Sequence, residues 1–278
     1  MASARVTGST VDRVRADGPA ERRGRARDWA EIQERMLVPL YQDVYRRLEV
    51  GAATSLLGVG CRSGLALLLA EGRGAQVAGV EWDEELRELA VARGLEVAPG
   101  GSLARSAHSV PRPAHSLVTV FEQSPTPALV AWSAQRTLPG GLLVLADRGP
   151  AECCESTAVL EVAHRHTPSE DREEPAPAAL ESLLVSAGLR PSMAGRVVCP
   201  FAYADLDSAI RGLLATGLFD RAEQQAGAAL VAKELEEALH PYRCPDGSVR
   251  MVNEYRWVAG ARPDPDDENL GRSGPSRG

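Results

Sequence analysis

Ser55-Leu56-Leu57-Gly58-Val59-Gly60-Cys61-Arg62-Ser63-Gly64 is the stretch on which the fold turns. Ser55–Val59 is an apolar run of strand length, the glycines after it make a tight turn, and a helix opens at Gly64. Glycine lacks a Cβ and tolerates left-handed dihedrals, so backbone amides in such a turn can approach a ligand closely. Seventeen residues beyond Gly64, at the end of the next apolar run (Gln76–Val80), stands Glu81. A carboxylate there is placed to accept hydrogen bonds from both hydroxyls of a nucleoside ribose. Two plainer readings stay open. The turn could be a simple strand–helix link, and Glu81, beside Asp83 and Glu84, could be a helix N-terminal acid favoured by the dipole.

Outward from this stretch the pattern alternates. Asp28 is a candidate N-cap for a helix over Trp29–Leu48, where Ile32, Met36, Leu37, Leu40, Val44 and Leu48 recur at helical spacing. After Glu81 come a helix over Asp83–Arg93, a short strand at Leu95–Ala98, a strand at Leu117–Phe121 and a helix over Ala128–Leu138. A fifth strand, Leu142–Ala146, follows the Pro139-Gly140-Gly141 turn. Alternation with short links implies α/β architecture: a doubly wound, mostly parallel sheet with helices on both faces and ligands beyond the carboxyl ends of the strands. Further on, the pattern predicts a helix over Ala179–Ala187, a strand at Arg196–Phe201, helices over Leu206–Thr216 and Arg221–Leu239, and a final strand at Val249–Val258. Residues 1–27 and 261–278 carry too few large apolar side chains to order themselves, and acidic, proline-rich 167–177 reads as a mobile link. The domain expected is therefore 28–260.

Together these segments resemble the class I S-adenosylmethionine-dependent methyltransferases, in their type 11-like form. The resemblance lies in the turn, in Val77-Ala78-Gly79-Val80-Glu81 and in Leu117-Val118-Thr119-Val120. It continues through Leu138-Pro139-Gly140-Gly141-Leu142-Leu143-Val144 and the long last strand after added helices. It implies a seven-stranded Rossmann-like sheet with a C-terminal antiparallel hairpin, S-adenosyl-L-methionine as cofactor, and methyl transfer to a small molecule by in-line displacement. Gly60, Cys61, Ser63 and Gly64 would then wrap the methionine part, Glu81 the ribose, and Trp82 the adenine face. Ser102 falls where an adenine contact is common, and Phe121 and Glu122 would face the sulfonium and the substrate. Glu122 is the weak candidate for a catalytic base. Tyr41 and Tyr45, four apart on the first helix, are candidates for the substrate pocket, though such a pair equally suits a core face. The helices within 202–240 would lie on the substrate side. The glycine loop is degenerate. The family's acid at the end of the first strand is Gly58 here, which removes a partner for the ligand's ammonium, and a usual glycine is Arg62.

Composition narrows the rest. The net charge of −7 gives no basic surface for nucleic acid, so none is expected as partner. The five cysteines include no CxxC pair, and the histidines do not cluster, so no metal site is expected. With no apolar run of membrane length and no signal core, the chain reads as soluble and cytoplasmic, without a membrane partner. Lys233 is the only lysine in an arginine-rich chain, which points to the coding bias of a high-GC bacterium. It also excludes the Tyr-x-x-x-Lys pair of short-chain dehydrogenases, since Ala229 lies four before it. Ser63, standing where GxGxxG wants its third glycine, speaks against a nicotinamide enzyme as well. The competing reading is a catalytically degenerate methyltransferase-fold protein that acts as a regulatory or partner-binding module.

Overall fold

Strand residues of this chain alternate between two apolar layers, and that alternation builds the sheet. Leu57 and Val59 face one layer with Val118, Val120, Leu143 and Leu145, while Leu56 and Val144 face the other. The computed structural model describes residues 18–101, 115–121, 125–166 and 180–264. Seven strands form one sheet: β1 (Ser55–Val59), β2 (Gln76–Glu81), β3 (Val97–Pro99), β4 (His115–Val120), β5 (Thr137–Arg148), β6 (Arg190–Tyr203) and β7 (Val249–Ala261). Their order is β3-β2-β1-β4-β5-β7-β6. β1 to β5 run parallel, and β7 pairs antiparallel with both β5 and β6. The doubly wound sheet and its terminal hairpin are as expected.

The order reverses at β1, which has β2 on one side and β4 on the other, so the crevice beyond its carboxyl end is the natural ligand position. The 55–64 turn lies there, leading into α3 (Leu65–Glu71). Across β2, α4 (Glu84–Ala92) starts under an Asp83 cap whose side chain accepts the Leu86 amide. α5 (Pro127–Ala134), α6 (Ser156–Arg165), α7 (Leu180–Ser186) and α8 (Leu206–Leu214) follow. The helix expected over 221–239 is two, α9 (Asp220–Ala226) and α10 (Ala228–Leu239), because Gly227 takes φ +89° between them.

Several boundaries differ from the sequence reading. The chain is already helical in α1 (Pro19–Asp28), inside the arm expected to stay unordered to residue 27. Its arginines reach folded partners: Arg22 to Glu85 at 2.6 Å and Arg25 to Asp220 at 2.5 Å. Asp28 is no N-cap; it ends α1 and pairs with Arg211. The single helix expected over Trp29–Leu48 is instead a π turn (Trp29–Gln33), a 3-10 turn (Glu34–Leu37) and then α2 (Val38–Arg47). β5 starts early, since the Gly140 amide donates to the Arg262 carbonyl and draws the Pro139-Gly140-Gly141 turn into pairing. The link 167–177, Ser102 and Glu122 lie outside the described residues. Among the described residues no helix is long and apolar enough to cross a membrane, and no cluster of acids, cysteines or histidines could hold a metal.

Candidate functional site

The glycine turn is held in shape from the β2 side. The Gly60 and Cys61 amides both donate to the Val80 carbonyl, at 2.9 and 3.2 Å. Gly60 and Gly64 take φ of +65° and +85°, the left-handed conformation that glycine adopts without strain. Arg62 takes φ +54°, a glycine conformation filled by a residue with a Cβ. Glu81 pays for none of this in exposure: it is 3 % exposed and its carboxylate accepts three backbone amides. These come from Arg62 (2.6 Å), Trp82 (2.8 Å) and Asp83 (2.9 Å). The strand-end acid thus clamps the strained residue of the turn as well as its own helix start.

The other side of the turn is covered by the irregular helical segment, and here lies the residue that sequence reasoning missed. Glu34 is 1 % exposed, and the Ser63 hydroxyl donates to its Oε2. Arg93 donates from one nitrogen to both the Ser63 carbonyl (2.8 Å) and hydroxyl (2.7 Å), and that nitrogen stands 4.0 Å from the Glu34 carboxyl. Burial pushes the Glu34 carboxyl up to about 7 against the pull of Ser63, Arg93, the Leu65 amide and Arg62. The same acid raises the neighbouring Tyr41 and Cys61 groups, both already lifted by burial. A signal existed: Glu34 stands seven residues before Tyr41, two helical turns along the same stripe.

The remaining predicted residues are distributed unevenly. Tyr41 and Phe121 meet, with ring centroids 4.9 Å apart, and both line the small cavity at the turn. Tyr45 is fully buried, with its hydroxyl bonded to the Ala66 carbonyl, and belongs to the core. Cys61 packs against Gly79, where an added Cβ would meet its Sγ at 2.7 Å, and burial drives its thiol far above the ordinary range. Trp82 packs on the apolar layer opposite Tyr41 and lies over Gly100. Arg62 swings over the Trp29 ring, 5.4 Å from its centroid. At Gly58 the missing carboxylate has left no vacancy, because an added Cβ would meet Leu67 at 2.9 Å and Cys61 at 3.2 Å.

These residues do not fit a nucleoside cofactor as they stand. The cavity that Trp29, Glu34, Tyr41 and Arg62 close over the turn holds about 20 Å³. That is room for about one water, where ligand pockets run to roughly 300–1,000 Å³. A wider cleft of about 370 Å³, beside Thr54, Ser116 and Gly141, opens at the amino ends of the strands. That end lacks the turn and its acid, so it is the wrong one for such a ligand.

The architecture nevertheless has counterparts among solved structures. A protein from Anaeromyxobacter dehalogenans provisionally assigned as a type II methyltransferase superposes with TM-score 0.54 at 18 % identity, covering 80 % of this chain and 97 % of that one. One from Bacillus halodurans C-125, provisionally assigned as a methyltransferase, gives 0.51 at 13 % identity over 80 % and 98 % of the two chains. YcgJ of Bacillus subtilis gives 0.52 at 17 % identity over 81 % and 98 %. No protein-family model and no curated protein matches the sequence. The chain has the class I methyltransferase fold, and the likeness does not single out the type 11 group.

Proposed function

We propose that this chain is an S-adenosylmethionine-dependent methyltransferase acting on a small molecule. The observation that carries the reading is the turn at the carboxyl end of β1, where Gly60 and Gly64 are left-handed and Glu81 closes the adjacent strand. It sits at the position where sheets of this class take their ligands. The residues proposed for the cofactor are Gly60, Cys61, Ser63, Gly64, Glu81, Trp82, Ser102 and Phe121, with Tyr41 and Glu122 toward the substrate. Tyr45 leaves that set, being spent on the core.

The second reading, motivated by Gly58 and Arg62 in the turn, is a methyltransferase-fold module that no longer uses the cofactor. Calorimetric titration with S-adenosylhomocysteine separates the two. Micromolar affinity that disappears in Glu81→Ala is expected for the enzyme, provided that the variant's circular dichroism stays native. No heat from wild type at any concentration reached would overturn the enzyme reading and turn the search to protein partners.

A further inference from the structure

α1 reads Pro-Ala-Glu-Arg-Arg-Gly-Arg-Ala-Arg-Asp and holds no large apolar side chain. Ten residues are too few for a helix to persist in water on its own, and Gly24 in the interior weakens this one further. Burial adds little, since Ala26 is its one buried residue. Charge does more. On one side Arg22 reaches Glu85, in the first turn of α4, at 2.6 Å. On the other, Arg25 enters the corner between α8 and α9, donating to the Leu214 carbonyl at 2.9 Å and to the Asp220 carboxylate at 2.5 Å. Leu214 ends α8 and Asp220 starts α9, so a cation there suits both the negative end of one helix and the acid that opens the next. Asp28, the last residue of α1, pairs with Arg211 on α8.

These contacts let α1 bridge the helix that follows Glu81 and the helices that follow β6. It runs without a break into Trp29, whose side chain lines the cavity at the turn. We infer that α1 is an ionic strap, which holds the 29–37 segment over the turn through pairs that ionic strength loosens. The pairs lie at the surface, with the Arg22 and Arg211 side chains 40 % and 50 % exposed. Such pairs are individually weak and are screened by salt. The sheet beneath is held by apolar burial, which added salt does not screen. Salt therefore acts on the strap before it acts on the fold. The inference goes beyond the methyltransferase reading and needs no ligand, so it stands or falls apart from it.

Hydrogen exchange of the wild type in 50 and 500 mM NaCl tests the strap, since over that step the screening length falls from roughly 14 to roughly 4 Å. Peptides covering 19–28 and 29–37 are expected to exchange at least tenfold faster at the higher salt, and those from β1, β4 and β5 to change less than twofold. At 50 mM, Arg25→Gln and Asp220→Asn should each speed both peptides at least fivefold. The double variant should go little beyond Arg25→Gln alone, because the two groups act as one pair. Asp220→Asn reaches that pair from the other side, so a folding fault in one variant leaves the test standing. Exchange of 19–28 that is indifferent to salt overturns the proposal. So does a rise shared equally by the strands, which would be general destabilisation. Faster exchange at 19–28 with 29–37 unchanged overturns it too, since α1 would then fray without holding anything over the turn.

Discussion

Two buried carboxylates grip the same turn from opposite sides, and they are held in different ways. Glu81, on the β2 side, accepts three backbone amides within 2.9 Å. Its partners are all main-chain amides, one in the turn itself and two at the junction of β2 and α4. Glu34, on the helical side, is held by one side-chain hydroxyl, the Leu65 amide and a guanidinium 4.0 Å away. It also rides on a segment wound in π and 3-10 turns. The first is held by main chain alone and the second mostly by side chains. Equal burial therefore says little about permanence, which depends on whether the partner belongs to the rigid frame.

The largest effect expected is that of Glu81→Ala, which orphans three amides at once. It should cost about 4 kcal/mol in urea unfolding. A loss under about 1 kcal/mol would break the comparison by showing that the turn does not lean on this acid.

Next comes the pH dependence of Glu34. Its carboxyl stands at about 7 in the fold against an ordinary 4.5, so the folded state binds its proton more tightly than the unfolded one. The contribution is fully present below 4.5 and is lost as pH rises through about 7, a loss of at most about 3 kcal/mol. The groups facing it are Ser63, Arg62, Arg93, Cys61 and Tyr41. Thermal unfolding at pH 5 and pH 8 should show this difference in wild type and lose it in Glu34→Gln. Parallel profiles would mean that the acid does not titrate on folding.

Gly58→Asp, which restores the family's acid, is expected to destabilise by about 2 kcal/mol because its Cβ runs into Leu67 and Cys61. Gly58→Ala should show about half of that, separating the clash from the buried charge. The smallest effect belongs to Arg62→Gly. Relief of a left-handed residue, worth about 1 kcal/mol, is offset by loss of the Trp29 contact and by glycine's entropy. Stability should change by less than about 0.5 kcal/mol, whereas Arg62→Val, β-branched at φ +54°, should lose more than 1.

Much of the fold was legible because its signals are local. Apolar runs of strand length, glycines at the turn and the acid seventeen residues on place β1, α3 and β2 without reference to anything distant. Helix breaks were less visible. Gly227 and Pro39 stand in the sequence, but whether a helix ends or merely changes winding depends on the packing of its flanks. The first helix also reads as one apolar stripe, which conceals that Glu34 lies on the cavity side with Tyr41.

At the site itself, chain-local chemistry determined that residues 55–64 form a ligand-type turn, that Glu81 ends the next strand, and that Arg62 replaces a glycine. The tertiary structure alone decided that Arg62 keeps the glycine's dihedral by leaning on Trp29, and that Leu67 has taken the space of the missing acid. It decided likewise that a carboxylate 29 residues before Ser63 closes the turn. The reason is physical: dihedral preferences and periodicity act between neighbours along the chain, while occupancy of a cavity depends on which distant side chains the sheet brings within reach of it.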